Sequence, residues 1–324
     1  MEISRRSLLV SGAAALLSGC AIADENSSRS PIVLNDGVGT FDIPGGKGHE
    51  QALITVHYFK PKTFSARSPI LIVVPGAGRN GDDYRDAWLP FATDKGVLVA
   101  APSYAEKDYD PGAYQMGGVI ENLRVGEPQP GSSDTVTYLR DEDLKFDVNP
   151  RRDEWLFPDF DRLFDLLKTA TGSKQASYDM FGHSAGGQVL HRHVLMHPGS
   201  RAARVVAANS GFYTLPDLED ALPVGMAGLG LDERTLRQAF SRPLQVLLGE
   251  KDNEREKGGS HLHTPRIDQQ GMNRLARGKF FYDFAAARAK ALGTPFNWNL
   301  QVVPDVGHDY RGMTRAAANL LYGA

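Results

Sequence analysis

Cysteine is almost absent from this sequence. Cys20 is the only one in 324 residues, which excludes an intrachain disulfide and, once the leader before it is removed, a cysteine nucleophile in the folded part. Long apolar runs are missing too. The best candidate, Leu8 to Leu17, falls well short of the roughly 20 residues that a permanent membrane helix needs. Charge of one sign is not in excess: 36 basic against 39 acidic residues give a net charge of −3, which argues against non-specific nucleic-acid binding. Internal repeats and long low-complexity tracts are also missing. What remains is an ordinary globular composition, 41% apolar and 23% charged, in a chain that fits one large α/β domain better than two.

The first twenty residues read as an address rather than as part of the fold. Arg5 and Arg6 precede the apolar run, and Leu17-Ser18-Gly19-Cys20 follows it. Ser4-Arg5-Arg6-Ser7-Leu8-Leu9 is similar to a twin-arginine export signal, and Leu-Ser-Gly-Cys resembles a bacterial lipobox, in which the cysteine is lipidated and becomes the new N-terminus. A plain cleaved signal is the alternative. The expectation is a signal peptide over 1–20, a flexible polar tether over 21–40 and one domain over 41–324. The partner implied at this end is the membrane, through a lipid on Cys20, at the periplasmic or extracellular face of the cell envelope.

Beyond that leader, apolar and β-branched runs alternate with helical patterns. Strands are expected at Ala52–Phe59, Pro69–Val74, Val97–Ala101, Ser177–Phe181, Arg204–Ala208, Leu244–Leu248 and Asn299–Val303. Helices are expected near Asp83–Thr93, Glu154–Thr171, Gly186–Met196, Lys279–Leu292 and Met313–Tyr322. This order implies crossover units and a mostly parallel central sheet flanked by helices. Two segments break the alternation, Glu106 to Arg152 and about Tyr213 to Ala239. Both are rich in Gly and Pro, and both fall where strands end and helices begin. They are the expected substrate-binding rim, with surface decoration as the alternative.

Gly182-His183-Ser184-Ala185-Gly186 fits Gly-x-Ser-x-Gly, a strand-to-helix turn that holds a nucleophilic serine in a strained conformation. A serine hydroxyl needs a base to take its proton and a group to orient that base. In hydrolases built on this turn the partners follow in the order serine, acid, histidine. Asp252 lies just past the Leu244–Leu248 strand, and His308 lies in the loop after Asn299–Val303. Ser184 is therefore the expected nucleophile, His308 the base and then acid, and Asp252 the orienting carboxylate. Glu250, Glu254, Asp305 and Asp309 are nearby alternatives for that last role. Donors for an oxyanion are expected from the Ala185 amide and from the loop Pro75-Gly76-Ala77-Gly78-Arg79-Asn80, with Ala77 first and Gly78 next. That loop is no phosphate cradle, because it lacks the Gly-Lys-Ser/Thr ending.

Other histidines suggest metal binding only weakly. His193 and His197 are four apart, but no glutamate follows the first of them, so helix packing is expected. His191 and His193 face different directions on a helix. His261-Leu262-His263 lies in a polar loop and could touch an ion. No cofactor and no metal are expected.

With these residues placed, the chain resembles an α/β-hydrolase, and most of all the bacterial poly(3-hydroxybutyrate) depolymerase and feruloyl esterase-like group. The resemblance rests on Val74-Pro75-Gly76-Ala77-Gly78-Arg79-Asn80-Gly81-Asp82-Asp83-Tyr84, on Gly182 to Gly187, and on the segments holding Asp252 and His308, over roughly residues 50–322. It implies an α/β-hydrolase fold and hydrolysis of a small ester or polyester fragment through an acyl-enzyme. Pro75 stands where many such enzymes carry histidine. Tyr104, Tyr109, Tyr114 and Trp155 are candidates to pack against an acyl or aromatic group, or to belong to the core. Acyl transfer or peptide cleavage on the same residues, and a non-catalytic ligand-binding lipoprotein, are the competing readings. Oligomeric state is not legible.

Overall fold

A five-residue run that is apolar at every position, Ile-Leu-Ile-Val-Val, has no polar face to offer water. It suits a strand covered on both sides. In the computed structural model, which describes residues 32–253, 255 and 258–323, that run is the fully buried third strand. The export signal, Cys20 and Glu254 lie outside the described residues.

In chain order the elements are β1 (Gly37–Pro44), β2 (Leu53–Lys60), β3 (Ile70–Val74), α1 (Gly81–Lys95) and β4 (Leu98–Tyr104). Three short strands follow, β5 (Ile120–Val125), β6 (Val136–Tyr138) and β7 (Leu144–Val148), then α2 (Phe157–Thr171), β8 (Tyr178–His183), α3 (Ala185–Met196) and β9 (Ala202–Ala208). The remainder is α4 (Glu233–Ser241), β10 (Leu244–Gly249), β11 (His261–His263), α5 (Pro265–Asp268), α6 (Arg274–Ala291), β12 (Trp298–Val303) and α7 (Tyr310–Tyr322).

The central sheet has eight strands in the order β1-β2-β4-β3-β8-β9-β10-β12. From β4 to β12 neighbours run parallel, while β1 and β2 pair antiparallel at one edge. Alternation along each strand splits the interior in two. Ile70, Ile72, Val74, Met180, Val205, Val246 and Leu248 face a core that includes side chains of α2, α3 and α6. Leu71, Val73, Phe181, Val206 and Leu247 face Trp88 of α1 and Met313, Ala317 and Leu321 of α7. The strand–helix alternation expected from the sequence gives this layering, with element ends displaced by a few residues.

Four expectations need correction. The fold begins before residue 41: Leu34 is buried and β1 starts at Gly37, inside the segment read as tether. β1 escapes a pattern search because Gly37, Gly39 and Pro44 dilute its alternation. Gly39 is needed there, since a Cβ would sit 2.4 Å from the Tyr58 hydroxyl. Helix α6 begins at Arg274 rather than Lys279, where the Asn273 side chain accepts from the Ala276 amide. The first insertion, for which no elements are expected, carries β5 paired with β7, and β6 paired with β11. The end of the second insertion is α4, capped by Asp232 through the Thr235 amide.

Candidate active site

Strand β8 ends between β3 and β9, and the chain turns into α3 within one residue. Ser184 is that residue. Its φ of 58° and ψ of −117° lie outside the regions that non-glycine residues favour, a strain on the order of 1–3 kcal/mol. The flanking glycines are there for space. A Cβ on Gly186 would sit 2.0 Å from the Val74 carbonyl oxygen, and one on Gly187 would sit 2.5 Å from that of Ala208. The Ser184 amide donates to the Ala208 carbonyl at 2.9 Å, which fixes the turn against β9.

Two loops at the same sheet edge bring the partners. His308, after β12, has Nε2 3.0 Å from Ser184 Oγ and Nδ1 2.8 Å from Asp252 Oδ2. Asp252, after β10, is fully buried. Burial alone would raise its pKa, but the His308 hydrogen bond and the Arg274 guanidinium hold it below the usual carboxylate value. Three of the other carboxylates weighed for this position are engaged elsewhere, and Glu254 lies outside the described residues. Glu250 accepts from the Asp305 amide, Asp305 pairs with Lys251, and Asp309 caps α7 through the amides of Arg311 and Gly312.

Asn209 holds both loops in register. Its Oδ1 accepts from the Gly249 amide at 2.7 Å, and its Nδ2 donates to the Gly307 carbonyl at 3.0 Å. The ends of β10 and of the histidine loop are thus tied to β9. His183, next to the serine, lies with its ring 4.6 Å from that of His308. Burial, with the Arg274 charge adding to it, pushes the His183 pKa well down, so this imidazole stays neutral. Its Nδ1 is 3.1 Å from the Tyr84 hydroxyl.

The loop expected to offer oxyanion donors runs beside Ser184. A Cβ on Gly76 would lie 3.6 Å from the Ser184 Cβ. Tyr114 donates to the Pro75 carbonyl at 2.7 Å, and Arg79, at φ 54°, donates to the carbonyls of Tyr104 and Tyr109 while stacking over Tyr114. Ala77 and Gly78 occupy the middle of this braced loop. Ala185 opens α3, where the first amides have no acceptor within the helix. Tyr104, Tyr109, Tyr114 and Trp155 are buried core residues; the three tyrosines brace the loop through Arg79 and Pro75, while Trp155 donates to the Asn149 carbonyl.

The remaining histidines pack. His191 accepts from the Thr214 amide, His193 pairs with Ser200 Oγ and His197 with Asp161. His261 and His263 stand on β11, and His263 bonds Asp268. Among the described residues no three His, Cys, Asp or Glu side chains converge as a metal site.

Two residues of the site escape a sequence reading. Arg274 bonds Asp252 from the first turn of α6, and Asn209 directly follows β9. Neither carries a local motif, and each acts only on loops distant in sequence.

This arrangement can do nucleophilic acyl chemistry. A hydroxyl on a strained turn faces an imidazole, which a buried carboxylate orients, beside a loop of amides.

No family model matches the sequence, and no curated protein matches it. Among solved structures the chain is similar to poly(aspartic acid) hydrolase-1 from Sphingomonas sp. KT-1, at 36% identity over 89% of this chain and 100% of that one, with a TM-score of 0.75. It is similar as well to LpqC, a poly(3-hydroxybutyrate) depolymerase from Bordetella parapertussis, at 29% identity over 89% and 91% of the two chains, TM-score 0.75. An S-formylglutathione hydrolase from Agrobacterium tumefaciens shares the fold at 16% identity, over 89% and 95%, TM-score 0.52. Matched over the whole length of a relative 36% identical to it, the chain belongs to the α/β-hydrolase superfamily, among its serine esterases and depolymerases.

Proposed function

We propose that this hydrolase cleaves carboxylic esters through an acyl-enzyme on Ser184. The observation that carries the reading is the continuous hydrogen-bonded path from Ser184 Oγ through both nitrogens of His308 to Asp252. As Ser184 Oγ attacks the ester carbonyl, His308 Nε2 takes its proton, and Asp252 stabilises the imidazolium from the other side. The oxygen of the tetrahedral intermediate is held by the Ala185 amide and by that of Ala77, or of Gly78 one residue on. His308 then returns the proton to the leaving alcohol. A water molecule, activated by the same imidazole, releases the acid and restores Ser184.

One relative's name gives a second reading. Poly(aspartic acid) is an amide-linked polymer, so amide cleavage on the same residues belongs in the first assay. A panel of p-nitrophenyl acetate and butyrate against the matching anilides, run beside Ser184→Ala, tests both. Ester turnover abolished in the variant supports the proposal. Anilide turnover without ester turnover favours amide cleavage, and turnover unaffected by the variant rejects Ser184.

We propose further that the protein is exported and anchored in the cell envelope by a lipid on Cys20. The basic pair, the short apolar run and Leu-Ser-Gly-Cys support this. Among the described residues no helix is long and apolar enough to cross a membrane. Cys20→Ser is expected to move the protein from the membrane to the soluble fraction, and unchanged membrane association would reject the anchor.

A further inference from the structure

Both insertions and the β11 segment meet at one place, and they leave a cleft of about 350 Å³ between them. Its apolar wall is built from Leu123, Leu139, Leu144 and Phe146 of the first insertion together with Phe212 and Leu262. The polar groups in the lining are neutral, among them Gln115, Thr137, Gln188 and Ser260. Among the described residues no lysine, arginine, aspartate or glutamate lines it. His261 does, and burial together with the Arg274 charge pushes its pKa down to about 4, so near neutral pH it presents an uncharged ring.

Two residues of the lining stand next to the reacting groups. Gln188 stands one helical turn beyond Ser184, its amide bonded to the Ser184 carbonyl at 3.0 Å. Ser260 follows Gly259, where a Cβ would fall 2.6 Å from His308 Cδ2. The Pro111 and Gln115 wall flanks Tyr114, which holds the Pro75 carbonyl of the proposed oxyanion loop. Arg192, a fully buried cation on α3, is not part of the lining, and it donates to Thr214 Oγ1 and to the carbonyls of Gln115 and Gln188.

We propose that this cleft is the acyl subsite, and that it selects an apolar, uncharged acyl chain over one ending in a carboxylate. The proposal rests on the ester-hydrolase reading of Ser184. Extending an alkyl chain along apolar walls gains the transfer free energy of each methylene, which corresponds to about fourfold in kcat/KM per CH₂. A carboxylate entering the same space loses its water and meets no cationic partner, so its binding is penalised strongly.

The experiment compares p-nitrophenyl acetate, butyrate and hexanoate with mono-p-nitrophenyl adipate, whose six-carbon acyl chain ends in a carboxylate. The expected result is a rise of roughly fifteenfold in kcat/KM from butyrate to hexanoate, two methylenes at the same increment, with adipate falling below butyrate. Leu144→Arg places a cation in the wall and is expected to raise the adipate-to-hexanoate ratio at least about tenfold. The wild-type series decides the matter even where that variant does not fold. A flat series, or adipate equal to hexanoate, overturns the subsite while leaving the esterase reading intact. A chain-length dependence seen with alkyl acetates and not with longer acyl groups also overturns it, because the cleft would then take the alcohol. Turnover of none of the esters overturns the esterase reading itself.

Discussion

Asp252 divides its two oxygens between opposite partners: Oδ2 lies 2.8 Å from His308 Nδ1, and Oδ1 accepts from Arg274 Nη1 at 2.8 Å. Both Asp252 and Arg274 are buried. The guanidinium reaches further, and its Nη2 donates to the carbonyls of Gly258 and Ser260. One cation therefore balances the orienting carboxylate and pins the segment that packs on the edge of His308. It also ties that segment to the wall of the acyl cleft.

Arg274→Gln leaves a buried carboxylate without its cationic partner, which is expected to cost about 3–5 kcal/mol of stability. In whatever remains folded, kcat for an ester is expected to fall by about tenfold to a hundredfold, because the His308 ring loses its alignment. Arg274→Lys keeps the charge but cannot make the forked contact, and it should fall between the two. Urea denaturation and steady-state kinetics check both parts. Activity equal to wild type in Arg274→Gln would show that His308 alone sets the position of Asp252.

Gly76 is where the proposed oxyanion loop approaches Ser184. A Cβ there would sit 2.8 Å from the Tyr84 hydroxyl and 3.6 Å from the Ser184 Cβ. Gly76→Ala is expected to shift the loop and reduce kcat by about a hundredfold, with a smaller effect on folding. Adding Tyr84→Phe removes the hydroxyl in the way and should restore part of the loss. Kinetics of the single and double variants test this, and an absence of rescue would place the effect at Ser184 rather than at Tyr84.

Asp161 makes stability depend on pH. Burial would raise its pKa, but hydrogen bonds from His197 and from the Arg201 amide and guanidinium hold it down, from 3.8 to about 2. A carboxylate whose folded pKa is depressed contributes above its unfolded value, and the contribution drains away as pH falls through the folded one. At pH 7 that is about 2 kcal/mol, lost between roughly pH 4 and pH 2. Asp161→Asn should lower stability by that amount at pH 7 and by little near pH 2. Denaturant titrations at the two pH values read the difference, and an equal loss at both would point to packing instead of charge.

Much of this site is legible in local pattern, and the part that is not has a common cause. Gly182 to Gly186 declares the turn because the crowding around Ser184 leaves no room for a Cβ at Gly182, Gly186 or Gly187. Asp252 and His308 could be sought only after strand ends, since the fold delivers loop residues to one edge of its sheet. The four rival carboxylates near them were equally plausible as residue types. What separates Asp252 from Glu250, Asp305 and Asp309 is which donor or cation each finds in space, and spacing along the chain carries no record of that. Strand β1 was hidden because an exposed edge strand holding glycine and proline lacks a clean alternation.

The sequence by itself determined the central architecture, the serine turn and the chain order of the serine, aspartate and histidine that the fold brings together. These follow from hydrophobic period, turn sterics and short spacings, which act between neighbours in the chain. Only the tertiary structure decided that Arg274 holds Asp252, that Asn209 ties two loops to β9, and that two insertions line an uncharged cleft with Gln188 of the helix that Ser184 opens. Each of those depends on groups tens of residues apart being buried together, where the loss of water makes the partner of every charge and hydrogen bond decisive.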